Sequence, residues 1–533
     1  MFRLYTGILL SLLSLPSYPE ASHSAEISTP SVEESAARPC IRLNRINLDD
    51  DQLNDKEQEK LFREYIGRCI DGALLKAVIA DASGFYISRG NITTKPYLRK
   101  QTISDGQIDI TVLKGTIENI VDASTNQSNA RIKTAFAFQQ GKLLNLRDLE
   151  TALEMMNRPP SSDARFEIKP GSRTGTSVVA IKSQDTLPFH LSLGLTGREN
   201  LKDENPYLTA ELSVDNPLNI NDILTFRYNG SSIQQKYQSN RGGEINYSFP
   251  VASYLIEVVG SQFSYRQGVT GLNDTFLSRG DTQAVRLKVS KVLMRNQKNK
   301  LSAALSLYHK DTKNYFSDQL IDVSSYKTTL AQFDLAHTWL HSWGQLTTAY
   351  SYYQGTDWFG ARNDRYFSSQ GGAADRAKLQ FKKHTLDLSL LYYLFNPGNQ
   401  FSSSFHLQRS NDNLHDSDKL TVGSDYTVRG YLNRNLFGNN AWYVKNDLTK
   451  TWALNIDRSL LQQFSMFVGG DFGNVACEAD NRGNCGKIYG AAAGFNTKSE
   501  HLETSFVWSQ PLKRLTQTFK LRSLFKFDLT WRF

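Results

Sequence analysis

His337 and His341 stand four apart in AHTWLHSWG, a spacing that two zinc-binding histidines share on a helix. The glutamate of a metalloprotease is missing, and on a strand four residues set the rings about 13 Å apart, beyond sharing one ion. With Trp339 and Trp343 beside them they read instead as part of an interfacial aromatic belt. No nucleophile-elbow serine, paired catalytic carboxylate or nucleotide-binding P-loop stands out, and the glycines of QGGAAD read as loop. Enzymatic activity is therefore not expected, and neither a cofactor nor a metal is called for. Two other charged residues have unusual surroundings. Arg429 sits between a valine and a glycine in YTVRGYLN, residues 426–433, and Asp471 stands among glycines in FVGGDFG. What they can do depends on the elements that carry them.

The chain has 533 residues, several times a typical domain, so two or more folding units are expected. It is 40% hydrophobic, yet its mean hydropathy is negative, and beyond the N-terminus no run of about 18 apolar residues occurs. Helical membrane spans are excluded. Its 61 basic and 53 acidic residues are interleaved without a Lys/Arg run of five, which argues for a solvated surface and against nucleic acid as a partner.

The N-terminus reads as an export signal: Arg3, an apolar stretch over 4–15, and a polar, small-residue stretch over 16–25, with cleavage near Ala25 or alternatively at Ser24 or Ala21. Export places the four cysteines in an oxidising compartment, where three pairings are formally possible. Cys40 with Cys69 and Cys477 with Cys485 are the local choices, and no zinc spacing accompanies them.

Between residues 40 and 184 the periodicity is mixed. Residues 41–48 are strand-like; Ile70, Leu74, Leu75, Val78 and Ile79 share a helical face that Gly84 is expected to close; Ile108, Ile110 and Val112 alternate as a strand. The order then repeats: a strand over 116–121, a helix marked by Leu146, Leu149, Leu153 and Met156 behind Asn145, and strands over 164–168 and 177–181 joined at Pro170-Gly171. Two small β-α-α-β-β units in tandem, 40–114 and 115–184, are expected.

From residue 188 to 533 the helical period disappears. Segments of about ten residues alternate in hydrophobicity between Gly, Asn, Asp and Ser clusters, as in YLTAELSVDN, DILTFRYNGS, GGEINYSFPV and NNAWYVKNDL. In the last, LFKFDLTWRF, Phe525, Phe527, Leu529, Trp531 and Phe533 point one way while Lys526, Asp528, Thr530 and Arg532 point the other. A soluble edge strand so apolar would invite aggregation; in a closed barrel it meets lipid on one face and water on the other. Counting back from Phe533 as a periplasmic end, outer loops fall at 510–521, 474–487 and 410–441, with short turns at 498–501 and 453–461. Roughly sixteen antiparallel strands fit.

Several separate stretches, in this order, resemble the TpsB outer-membrane transporters of two-partner secretion, the hemolysin-activator and filamentous-hemagglutinin transporter family. They are YISRGNITTKPYL and LKGTIENI, NLRDLETALEMMNR and IKPGSRTGTS, VDNPLNINDIL, YTVRGY, FVGGDFG and the terminal Phe533. The resemblance implies two α+β periplasmic POTRA domains before an all-β transmembrane barrel. It further implies that VRGY is the tip of an outer loop folded back into the lumen, where Arg429 meets Asp471. Parity agrees: Phe464, Met466, Val468 and Phe472 share a face suited to lipid, which leaves Gly469, Asp471 and Gly473 toward the lumen. The glycines clear space for an approaching backbone, and Gly430, before Tyr431, lets the loop turn. Such a pair fixes the register of a mobile element better than it stabilises, since desolvation offsets much of the attraction.

The partners implied are a secreted TpsA-type exoprotein (an adhesin, hemolysin or contact-dependent toxin), outer-membrane lipids and, during biogenesis, the barrel-assembly machinery, with Trp531 and Phe533 as the C-terminal signal. Folding of the cargo outside the cell is the implied drive. Many relatives carry a plug helix before the first POTRA unit; residues 26–39 are too short to fill a pore and also connect, so the plug is expected to be absent or vestigial. A passive porin would not need two peptide-docking units. A barrel-assembly insertase usually carries more of them, and VDNPLNIND favours the secretion branch.

Overall fold

The computed structural model describes residues 40–533 apart from 51–52, 104, 200–205, 233–236, 365–376, 432–434, 455, 458–460, 479–480, 482 and 516–520. The expected signal peptide, the segment 26–39 with its plug question, and QGGAAD lie outside the described residues. The chain packs as two compact units, one holding the residues up to Ala82 with Tyr97–Thr111, the other Ser83–Pro96 with Val112–Phe533.

The first β-α-α-β-β segment has a three-stranded sheet of Arg45–Asp49, Lys95–Leu98 and Gln107–Leu113, the last of these central and parallel to the first. Helix α1, Asp55–Phe62, starts at a capping box in which the Asn54 side chain accepts from the Glu57 N–H at 2.9 Å. Helix α2 runs Gly72–Ser88 and buries Leu74, Val78, Ala82 and Tyr86, a strict four-residue stripe. Gly84 therefore does not close it. A glycine inside a helix costs about 1 kcal/mol, which burial of the Tyr86 ring in the following turn outweighs; the chain turns out at Gly90, with φ 91°. Cys40 and Cys69 are bonded, with Cα atoms 5.4 Å apart.

The second segment repeats the order. Thr176–Asp185 lies between Thr116–Asp122, to which it is parallel, and Ser162–Pro170, to which it is antiparallel. Helices α3, Ala130–Ala135, and α4, Leu146–Met156, cover the sheet, and Asn145 caps α4 by accepting from the Arg147 N–H at 2.8 Å. Ile117, Leu149, Met156, Val179 and Ile181 form the middle of its core.

The rest is a closed antiparallel barrel. Its ring contains, among the described residues, sixteen long strands from Phe189–Glu199 to Leu524–Arg532, plus the two-residue strand Gln319–Leu320 inside one hairpin. Alternation explains the wall. Leu212, Phe226, Ile245 and Val285 follow one another around it in register through Gly260, with apolar side chains outward. One residue along each strand, Arg227 donates inward to Glu211 at 2.6 Å and to Glu244 at 3.0 Å. The last strand closes on the first from Phe525 opposite Glu199 to Arg532 opposite Ser192, so no edge remains. Among the described residues no helix is long and apolar enough to cross a membrane.

Candidate functional site: the re-entrant loop

Residues 410–440 connect the strands Asn399–Arg409 and Ala441–Ala453, far more chain than a hairpin needs. The loop makes its own antiparallel pairing, Leu420–Val422 with Leu436–Gly438. Val422, Val428, Tyr431 and Leu436 then bury against Val475 and Ile488 of the barrel. An apolar knot of this kind has no use for water, so it folds onto the inner wall.

The turn at VRGY is held by what its neighbours lack. Gly430 has φ 91°, and a Cβ there would collide with the backbone of Gln510 and Pro511. On the wall, a Cβ at Gly490 would strike the Arg429 backbone, one at Gly473 would strike Val422, and one at Gly469 would strike Arg429 and Asp447. Tyr431 inserts fully; its hydroxyl lies 2.9 Å from the carbonyls of Tyr489 and of Lys513 and accepts from the Lys513 N–H at 3.2 Å.

Arg429 and Asp471 meet as the parity argument requires. The Arg429 backbone N–H donates to Asp471 Oδ2 at 2.9 Å, Nε to Oδ2 at 2.7 Å and Nη2 to Oδ1 at 2.7 Å, a bidentate fork with a third bond from the main chain. The side chain of Asp471 is 0% exposed and that of Arg429 5%. Two features escaped the sequence reading. Asp447 supplies a second carboxylate, accepting from Nη2 at 2.7 Å, and the ring of Phe467 lies 5.7 Å from the guanidinium carbon. Lys445, Asp447 and Thr449 look like ordinary lumen-facing polar residues in their strand; only the register that sets Asp447 opposite Gly469 singles one out.

Above the knot, Asn439 and Asn440 donate to Glu478, and Asn481 donates to the Phe437 and Ala476 carbonyls at 3.2 and 2.8 Å. Cys477 and Cys485 are bonded in the same outer loop, with Cα atoms 5.0 Å apart.

A second polar cluster joins the 115–184 unit to the barrel mouth, and VDNPLNIND is its barrel half. Asn216, Asn219 and Asn221 have φ of 53°, 57° and 62°, the left-handed region that asparagine tolerates. Asp222 accepts from the Leu218 and Ile220 N–H groups. Arg131 Nε donates to Asn221 Oδ1 at 3.0 Å, the Ser161 N–H to Asp215 at 2.8 Å, and Arg158 to Ser248 Oγ at 2.7 Å and the Asn221 carbonyl at 2.9 Å. Burial pushes the Arg158 guanidinium down to about 10, against the upward pull of Glu257, Asp222 and Asp215. The Ala252 N–H donates to the Thr134 carbonyl, so the short turns of the barrel lie on the side of this unit.

The structure does not bring the two histidines together. His337 pairs with Asn299 at 3.0 Å, whereas His341 stacks on Trp343, which also meets Trp339 and Tyr392. Among the described residues no group of His, Cys, Asp or Glu could hold a metal ion. The terminal Phe533 N–H donates to the Leu191 carbonyl, and its exposed ring lies 5.0 Å from that of Trp531.

A lipid-facing barrel with a buried, charge-clamped loop in its lumen, an α+β unit joined to its short-turn side and a second α+β unit earlier in the chain define an outer-membrane transporter with periplasmic POTRA domains. The comparisons specify it further. Residues 175–497 match the haemolysin secretion/activation protein ShlB/FhaC/HecB family, 41–115 an ShlB-type POTRA domain and 116–170 a POTRA domain. The chain is 30% identical over 487 residues to the outer membrane transporter CdiB of Escherichia coli O6:K15:H31, covering 91% of this chain and 81% of that one. It is 26% identical to the hemolysin transporter ShlB of Serratia marcescens, with 91% and 85% covered. The solved structure of CdiB from Escherichia coli superposes with a TM-score of 0.84 at 28% identity, over 95% of this chain and 93% of that one. This chain belongs to the ShlB/FhaC/HecB family, whose barrel sits in the outer membrane with its POTRA domains in the periplasm.

Proposed function

We propose that the protein carries one large TpsA-type exoprotein, an adhesin, hemolysin or contact-dependent toxin, outward through its barrel, and that Arg429 on Asp471 is the latch holding the pore closed between substrates. The observation that carries the latch is the fully buried, three-bond clamp between a loop tip and a barrel strand. A buried pair of this kind gains little stability over an apolar contact but has one geometry, which suits a part that must return to the same seat. In this reading residues 1–25 direct export, the units at 40–114 and 115–184 receive the cargo as an extended segment, and the chain performs no chemistry on it. Membrane lipids and the barrel-assembly machinery are its other partners.

Cells lacking the protein should retain or degrade one large exoprotein while small-solute uptake and the assembly of other barrels continue normally. Impaired solute uptake with unchanged secretion would point to a porin, and a general loss of barrels to an insertase.

A further inference from the structure

The same turn carries a second, oppositely charged tether. Four residues before Arg429, Asp425 accepts from Arg198 of the first barrel strand, Nη2 at 2.9 Å and Nε at 3.2 Å. Its own carbonyl accepts from Lys445 Nζ at 3.3 Å. The link between the two ionic residues is stiff: Thr427 Oγ1 accepts from the Gly423 N–H at 2.9 Å, and the Ser424 N–H donates to the Val428 carbonyl at 3.1 Å. Asp425 and Arg429 thus move as one piece.

Their seats are not adjacent. Around the ring, the strands Gly486–Lys498, Leu502–Pro511 and Leu524–Arg532 lie between the strand of Asp471, Gln463–Val475, and the strand of Arg198, Phe189–Glu199. The tip therefore spans the junction where the last strand meets the first. The buried fork fixes the tip only once it is seated; a second pair of reversed polarity on the same rigid turn also fixes the direction in which the tip approaches its seat. A tip turned end for end would set Arg429 against Arg198 and Asp425 against Asp471, two repulsions in place of two attractions.

We infer that Arg198 and Asp425 are a positioning pair that orients the loop tip, so that Arg429 finds its carboxylates each time the loop returns. The inference rests on the latch reading and adds its regulation. The pair is partly solvated, with 27% and 17% of the side chains exposed, so its strength is modest and salt-sensitive and its main effect is on orientation.

The test uses the full-length chain in planar bilayers, with correct folding checked by heat-dependent gel mobility. Arg198→Gln and Asp425→Asn should each raise the frequency of spontaneous channel opening several-fold, and the double exchange Arg198→Asp with Asp425→Arg should bring it back toward the native frequency, though Lys445 nearby keeps the return partial. Single variants that open no more often than the native channel, or an exchange leakier than either single variant, would overturn the inference. Arg429→Ala in the same bilayers separates the two ideas: if it opens the channel while the Arg198 and Asp425 variants do not, only the second tether fails. If it too changes nothing, the latch itself fails.

Discussion

Asp447 stands directly opposite Gly469 in the ladder between two barrel strands, and its carboxylate occupies the space a side chain at that glycine would fill. One guanidinium thereby reaches two carboxylates, Asp471 in line with its fork and Asp447 on its outer nitrogen. Gly469→Ala should push these groups apart without touching a charge. Insertion of the barrel should stay normal while channel openings increase and exoprotein release falls; native behaviour of this variant would show that the glycine is incidental.

Removing either member of the central pair should be far more severe. Arg429→Ala strands a carboxylate that is 0% exposed, a loss of docking energy of about 3–5 kcal/mol, and Asp471→Ala leaves the guanidinium only the partly solvated Asp447 carboxylate. Secretion should drop at least tenfold in both, measured against equal amounts of heat-modifiable barrel. Asp447→Asn should cost much less, because that side chain is 22% exposed and an amide oxygen still accepts.

At the periplasmic joint, Arg158→Ala leaves the Ser248 and Asn221 carbonyls without their donor. Spin labels on the second POTRA unit and on the barrel should then report a broader distance distribution, with secretion reduced and channel conductance unchanged. A distribution as narrow as the native one would remove this arginine from the joint.

Within the same unit, hydrogen bonds from the Thr176 and Ser172 hydroxyls and the Ser172 N–H hold the Glu118 carboxyl down at about 2. A lowered carboxyl stabilises the fold above its unfolded value, near 4.5, and loses that contribution as pH falls toward 2. Pulse proteolysis of the full chain in urea should therefore find native protein more resistant than Glu118→Gln at pH 6, with the difference shrinking between pH 4.5 and 2. A difference constant across that range would contradict the assignment.

The plan of the barrel was legible because a wall between lipid and water enforces a period of two, and Phe525 to Phe533 display it without interruption. The same parity put Asp471 inside. Asp447, Phe467 and Arg198 were not legible, since each acquires its role from register or ring closure, which no local pattern encodes. Arg131 and Arg158 are equally silent in sequence; their partners on the barrel lie 63 to 90 positions away. Gly84 misled for the converse reason, a local breaker overruled by the burial of Ala82 and Tyr86 on either side.

The central claim is that the VRGY turn occupies the lumen at rest and must leave for cargo to pass. A Cβ at Gly473 would lie 3.0 Å from the Val428 side chain but would strike Val422, so a Val428→Cys, Gly473→Cys pair is bonded in a Val422→Ala background that clears the space. Exoprotein release should be measured before and after mild reduction, with the native chain treated in parallel. Oxidised double-cysteine protein, correctly inserted, should release almost none, and reduction should restore release. Release at the native rate from the fully bonded form would contradict the account.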